Sequence, residues 1–117
     1  MLSIEMHGKH LIADVINIAD YELLNTVDGV KPLMQTIIND MDLHVVGEVH
    51  KQFEPIGATC LYLLSESHLS IHTYPEIRYC AIDLYCCNDS IDMDDVLEII
   101  YNYFDNNCII TNKVIDR

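Results

Sequence analysis

The stretch TCLYLLSESHLSIHTYPE, residues 59–76, joins two apolar segments of strand length through a short polar interruption. Residues 59–64 and 69–73 carry the apolar and β-branched side chains that strands favour, which predicts two strands. Between Leu64 and Glu76 the sequence places three serines, two histidines and two glutamates in thirteen positions. A strand that only built core would not concentrate polar groups in this way, so the stretch indicates a functional site.

Outward from this stretch, hydrophobic periodicity predicts further strands at about 10–18, 44–53, 78–85 and 108–114. Helices are predicted at 31–41 and 92–104; the pair Asp28-Gly29 predicts a turn before the first, with Pro32 in its first helical turn. Two helices among antiparallel strands predict an α+β fold, a two-layer sandwich with both helices on one face of a mainly antiparallel sheet. The other face of the sheet then needs cover, and dimerisation is one way to supply it.

Bulk properties exclude several classes of function. The chain has 117 residues, which predicts a single domain over residues 1–117. Its net charge of -13 argues against a nucleic-acid partner, which needs clustered Lys and Arg. Residues 1–12 lack a signal-peptide pattern and no apolar run is long enough to span a bilayer, so we expect a cytoplasmic protein without a membrane partner.

The cysteines predict free thiols. There are five, an odd number, with no CxxC pair and with Cys86 and Cys87 adjacent. In a reducing compartment such thiols stay unpaired. Histidines and cysteines occur without tight ligand spacing, so we expect no metal site.

The polar run ESHLSIHTYPE at 66–76 resembles the self-cleavage signature of the small prokaryotic-type S-adenosylmethionine decarboxylases, which reads ESHLTIHTWPE or a close variant. Three shorter segments are also similar to that family: GKHLI at 8–12, F-x-P-x-G-x-T at 53–59, and DLYCC at 83–87, which resembles the family's D-x-x-x-C. The resemblance extends from about residue 8 to residue 87.

The resemblance implies a proenzyme that cleaves itself between Glu66 and Ser67 into a β chain, 1–66, and an α chain, 67–117. Ser67 Oγ attacks the Glu66 carbonyl, turning an amide into an ester, a step that requires a distorted peptide bond and oxyanion donors. Elimination and hydrolysis then leave a pyruvoyl group at residue 67. The resemblance makes His72 the proton acceptor and Thr59 the assisting hydroxyl. On a straight strand His72 would lie far from Ser67 and face the other way, so we expect a bend between them.

The resemblance also implies the catalytic residues. The pyruvoyl ketone of residue 67 forms a Schiff base with the substrate amine and replaces pyridoxal phosphate. Cys87 is the implied proton donor, and because Cys86 would point to the opposite strand face, only one of the two can serve. The resemblance implies that Phe53 stacks on the adenine of S-adenosylmethionine and that Glu76 binds its ribose. It also implies a homodimer of processed protomers. The product, decarboxylated S-adenosylmethionine, enters polyamine (spermidine) biosynthesis.

Departures from the family pattern keep other functions open. Tyr74 stands in place of tryptophan, Thr59 in place of serine, Lys51 where histidine is frequent, and Asn88 where glycine is common. One alternative is a pyruvoyl-dependent decarboxylase of another amino acid such as ornithine or arginine. Another is an unprocessed, non-enzymatic homologue that binds a partner.

Overall fold

The computed structural model describes residues 8–65, 67–87 and 90–117. One antiparallel sheet has the strand order β2-β3-β4-β5-β1-β6, and two α-helices pack against it. Short 3-10 helices lie at Tyr21–Asn25 and Pro75–Ile77. The strands are β1 Lys9–Ile16, β2 Val45–Gln52, β3 Ala58–Leu64, β4 Ser67–Tyr74, β5 Tyr79–Cys86 and β6 Ile109–Asp116, and the helices are α1 Val27–Asp40 and α2 Met93–Tyr103.

Both helices cover the same face of the sheet. Alternate residues of the central strands, such as Leu69 and Ile82, are fully buried in one core with Leu33 and Ile37 of α1 and Ile100 of α2. Strand periodicity places these sheet residues on one side, because successive side chains point to opposite faces. The predicted two-layer α+β sandwich is confirmed.

The second face of the sheet has no helix against it in the described part of the chain, and we call it the open face. Leu61, Leu63 and Val49 lie on it and are 42%, 59% and 68% exposed. Polar and aromatic side chains share this face in a band across β3, β4, β5 and β1. They are Thr59, His68, His72, Tyr74, Asp83, Tyr85, His10 and Asp14.

The start of α1 differs from the sequence prediction. The helix begins at Val27, and the predicted turn at Asp28-Gly29 is wrong, because those residues form its first turn. Thr26 is the N-cap, and its hydroxyl accepts a hydrogen bond from the Gly29 amide at 3.0 Å. This cap satisfies a backbone donor that the helix leaves unpaired, which starts the helix earlier than its apolar stripe indicates. Pro32 therefore lies inside α1 and not in its first turn.

A buried hydroxyl ties β3, β4 and the first 3-10 helix together. Thr73 Oγ1 accepts a hydrogen bond from the Ala58 amide at 2.8 Å and donates one to the Leu24 carbonyl at 2.8 Å. Because Thr73 is only 8% exposed, water cannot readily replace its hydrogen bonds to the Ala58 amide and the Leu24 carbonyl. It anchors the end of β4 that carries His72.

We expect Thr73→Val to lower the free energy of unfolding by about 2–4 kcal/mol, since a buried amide and a buried carbonyl each lose a partner. Thr73→Ser keeps the hydroxyl and is the matched control, with an expected loss of about 1 kcal/mol from the missing methyl. Urea unfolding, with both changes made in the Ser67→Ala chain, measures the difference. A Thr73→Val chain as stable as Thr73→Ser would contradict this role.

Candidate active site

Ser67 is the first residue of β4 and is half-buried in a cavity of about 350 Å³, which we call the Ser67 cavity. The β4–β5 register pairs His68 with Tyr85, so the start of β4 lies across from the end of β5. This register brings Ser67 close to the two adjacent cysteines. The cavity is lined by Asp42, Leu43, His44, Leu64, Ser65, Ser67, Cys86 and Cys87.

The two cysteines differ in environment. Cys86 is 4% exposed and belongs to the core beneath the helices. Cys87 follows the end of β5 and is half-buried, and its Sγ donates a hydrogen bond to the Tyr85 hydroxyl at 3.8 Å. Since Tyr85 lies on the open face, Cys87 and Cys86 are directed to opposite sides of the sheet. Both cysteines line the Ser67 cavity, but their thiols lie in different environments.

A second group of candidate residues lies at the other end of β4. Thr59 Oγ1 and His72 Nδ1 are hydrogen bonded at 3.0 Å, because the β3–β4 register pairs these two residues directly. They border a cavity of about 310 Å³, the Phe53 cavity. Its lining is Phe53, Ile56, Gly57, Thr59, His72, Thr73, Tyr74, Pro75 and Glu76.

The loop before β3 shapes the Phe53 cavity. The Phe53 amide donates to the Gly57 carbonyl at 2.8 Å, and the Gly57 amide donates to the Asn25 carbonyl at 2.8 Å. Gly57 has a φ of 113°, a backbone conformation that side chains with a Cβ rarely adopt. The tight closure holds the Phe53 ring at the cavity with 46% of the residue exposed. Glu76 is exposed at the same mouth.

The predicted bend between Ser67 and His72 is wrong. Strand β4 runs without interruption from Ser67 to Tyr74, and both neighbouring strands pair with it. Ladders on two sides leave little freedom to bend, so the two residues are about 17 Å apart along the strand and face opposite sides. Within one chain the structure brings Ser67 into one cavity with Cys86 and Cys87 and pairs Thr59 with His72, but it does not join these two groups.

Sequence reasoning missed a ring cluster at the Ser67 end of the open face. The rings of His10, His68 and Tyr85 are mutually 5.8–6.0 Å apart between centroids, and the Arg117 guanidinium lies 5.2 Å from the Tyr85 ring centre. The hydrogen bond with Cys87 raises the pKa of Tyr85 above its ordinary value, an effect that the charge of Arg117 opposes. Strand alternation on β5 was the available signal, since it places Tyr85 on the face opposite Leu84.

Among the described ranges, no group of three or more His, Cys, Asp or Glu side chains is placed to hold a metal ion. None of the helices in those ranges is both long enough and apolar enough to cross a membrane.

Comparison with known proteins identifies the family. Residues 9–117 match the family described as S-adenosylmethionine decarboxylase. S-adenosylmethionine decarboxylase proenzyme 2 of Bacillus cereus is 40% identical over 95 residues, 81% of this chain and 76% of that protein. The Archaeoglobus fulgidus proenzyme is 32% identical over 97 residues, 83% of this chain and 86% of that protein.

A solved structure agrees with these matches. The crystal structure of the adenosylmethionine decarboxylase from Aquifex aeolicus has a TM-score of 0.85 and 28% identity, covering 97% of this chain and 92% of that one. The Trypanosoma brucei AdoMetDC-delta26 monomer, 10% identical with a TM-score of 0.59 over 84% of this chain and 42% of that one, shares the fold. The matches define the chain as a decarboxylase. It belongs to the S-adenosylmethionine decarboxylase family.

We expect alkylation by iodoacetamide to modify Cys87 well before Cys60 and Cys80. Both comparison residues are fully buried, and burial raises the pKa of Cys60 to about 11, which lowers its thiolate fraction near neutral pH about a hundredfold. Peptide mapping by mass spectrometry over time gives the order. Labelling of Cys60 or Cys80 at the rate of Cys87 would contradict the described cavity.

Proposed function

We propose that this chain is a self-cleaving proenzyme that breaks the bond between Glu66 and Ser67, keeps residue 67 as a pyruvoyl group, and decarboxylates S-adenosylmethionine for polyamine synthesis. The observation that carries the proposal is the pair of half-sites on β4. Ser67 lines one cavity together with Cys86 and Cys87, and the Thr59–His72 pair shares another with Phe53 and Glu76. Each residue type matches one step of the reaction.

Maturation begins at Ser67, whose hydroxyl attacks the preceding carbonyl. Glu66, which supplies that carbonyl, lies outside the described residues. His72 accepts the Cα proton of residue 67, and its bond to Thr59 at 3.0 Å holds the ring through Nδ1 and leaves Nε2 to act. A positioned base of this kind contributes about 10²–10⁴-fold to a proton transfer.

The residues around position 67 suit a pyruvoyl group. Ser67 is half-buried in a cavity and shares it with a thiol, so a ketone at residue 67 would be partly screened from water beside a proton source. When present, the ketone supplies the electron sink for loss of carbon dioxide, and neither pyridoxal phosphate nor a metal is needed. Cys87 then delivers a proton to the substrate carbon. Cys86 also lines the Ser67 cavity but is only 4% exposed, and we assign the role to Cys87 because the resemblance aligns Cys87 with the family's donor cysteine.

Because β4 is straight, Ser67 and His72 of one chain cannot meet, and the proposed site needs residues from a second copy of the chain. A two-fold axis between two stacked open faces and perpendicular to β4 reverses the strand direction, so the Ser67 end of one protomer meets the His72 end of its partner. Exposed Leu61, Leu63 and Val49 provide apolar surface for this packing. Because Ser67 begins β4 at the end of the sheet, a partner on the open face can reach it around the strand end.

The Phe53 cavity favours S-adenosylmethionine over a linear diamino acid. An exposed aromatic ring offers a stacking surface for adenine, and the Glu76 carboxylate offers two acceptors for ribose hydroxyls. A sulfonium near an aromatic face also gains cation–π attraction. The net charge of -13 suits a cationic substrate and disfavours nucleic acid, and we expect the protein to act in the cytoplasm.

Intact mass and substrate tests check the proposal together. We expect the purified chain to appear as a fragment ending at Glu66 and a second fragment whose blocked first residue gains mass on borohydride treatment, while Ser67→Ala remains full length. We expect the purified chain to release carbon dioxide from S-adenosylmethionine. In Ser67→Ala this release should fall to background. Release from ornithine or arginine alone would overturn the substrate, and a chain that stays whole on long incubation would overturn the whole proposal.

A complementation experiment tests the shared site. Ser67→Ala and His72→Ala chains, each expressed alone, should remain uncleaved. Expressed together, they form one site that combines Ser67 of the His72→Ala chain with His72 of the Ser67→Ala chain, so the His72→Ala chain should be cleaved. Native mass spectrometry verifies that mixed dimers form. Mixed dimers in which both chains stay intact would show that His72 acts within its own chain.

A further inference from the structure

We propose that Tyr85 positions the thiol of Cys87 so that its proton reaches the substrate carbon, a role that rests on the function proposed above. The Sγ of Cys87 donates a hydrogen bond to the Tyr85 hydroxyl at 3.8 Å. Tyr85 is not among the residues that the family resemblance assigned to the reaction. It touches the proton donor, not the Ser67 cavity, and therefore acts through Cys87.

The Tyr85 hydroxyl is a fixed point because its ring is held on several sides. The register pairs Tyr85 with His10 on β1 and with His68 on β4, and ring centroids lie 5.9 Å and 5.8 Å away. Arg117 lies over the ring, and its backbone exchanges two hydrogen bonds with Gly8 at 2.8 Å and 2.9 Å. A ring packed in this way gives the thiol an acceptor in a constant place.

A constant acceptor matters because Cys87 lies just beyond the end of β5. A cysteine side chain there can take several staggered rotamers, and only some direct the thiol away from the core. The bond to Tyr85 selects a rotamer on the open-face side of the sheet. Cys86 points to the helix side and has its thiol in the buried core.

The same contact also assists after the proton has left. The proton moves from Sγ to the carbon that lost carbon dioxide, forming a C–H bond, and the S–H electron pair stays on sulfur. The Tyr85 hydroxyl can then rotate and donate to the negative sulfur, and a hydrogen bond to an ionised group is stronger than one to a neutral group. Solvent returns the proton to Cys87 before the next turnover.

A proton delivered to residue 67 instead of the substrate carbon gives a different chemical product. With a pyruvoyl group at residue 67, the electron pair left by carbon dioxide would be shared between the substrate carbon and the second carbon of residue 67. A proton delivered to residue 67 would, after hydrolysis, leave an alanine there with a free amino group and release the decarboxylated substrate as an aldehyde. The proportion of alanine at residue 67 therefore records where the proton went.

The test compares Tyr85→Phe with Tyr79→Phe. Tyr79 lies on the same strand and the same face, but its hydroxyl donates to Asp14 at 2.6 Å, far from the Ser67 end of β5. We expect Tyr85→Phe to self-cleave normally and keep its KM for S-adenosylmethionine, with kcat about tenfold lower and alanine formation per turnover about tenfold higher, as the loss of one hydrogen bond to a charged group predicts. Edman degradation reads alanine and does not read a pyruvoyl group.

A second measurement does not depend on the pyruvoyl group. In the uncleaved Ser67→Ala chain, Tyr85→Phe should slow alkylation of Cys87 about three- to tenfold, because the thiolate loses a donor, and Tyr79→Phe should not. Equal partition to alanine, or equal alkylation, in the two tyrosine variants would overturn the role of Tyr85. If the unaltered chain itself neither self-cleaves nor releases carbon dioxide, the proposed function has failed instead.

Discussion

The hydrogen-bond ladders on both sides of β4 are the constraint on which the site depends. Pairing with β3 and with β5 keeps the strand straight from Ser67 to Tyr74. A straight strand separates residues five positions apart by about 17 Å and turns them to opposite faces. The same hydrogen-bond ladders that separate Ser67 from His72 also bring each of these residues close to other candidate site residues. The register with β5 brings Ser67 to the cysteines, and the register with β3 brings His72 to Thr59.

The open face follows from the same architecture. Two helices suffice to cover one side of a six-stranded sheet, and the other side is left with Leu61, Leu63 and Val49 exposed among polar groups. Apolar side chains exposed to water cost free energy, and the polar side chains beside them keep the open face soluble. Stacking a second copy on this face removes the apolar side chains from water. In the proposed dimer, the same second copy of the chain would bury the open face and supply the missing residues of the site.

Much of the fold could be read from periodicity. The six strands and two helices lie close to their predicted positions because burial on one face imposes a regular alternation on each of them. The apolar pattern was wrong at the starts of α1 and β4, where a helix cap and strand pairing set the boundary. Thr26 begins α1 at Val27 through a single hydrogen bond, a signal that the stripe of apolar residues does not contain. The apolar pattern predicts that β4 starts at Leu69, because Ser67 and His68 are polar, yet both residues pair with neighbouring strands.

The order of residues along the chain already specifies the available chemistry: a serine, a histidine, adjacent cysteines and an aromatic residue in a recognisable pattern. Side-chain chemistry and local pattern are properties of the chain, and they need no knowledge of distant contacts. Which of these groups come into contact depends on how the strands pair in the folded chain. Register across strands sets the Thr59–His72 bond, buries Cys86 in the core while Cys87 meets Tyr85, and groups Tyr85 with the rings of His10 and His68. Strand register depends on pairings between residues far apart in sequence, so a single strand's pattern does not contain it.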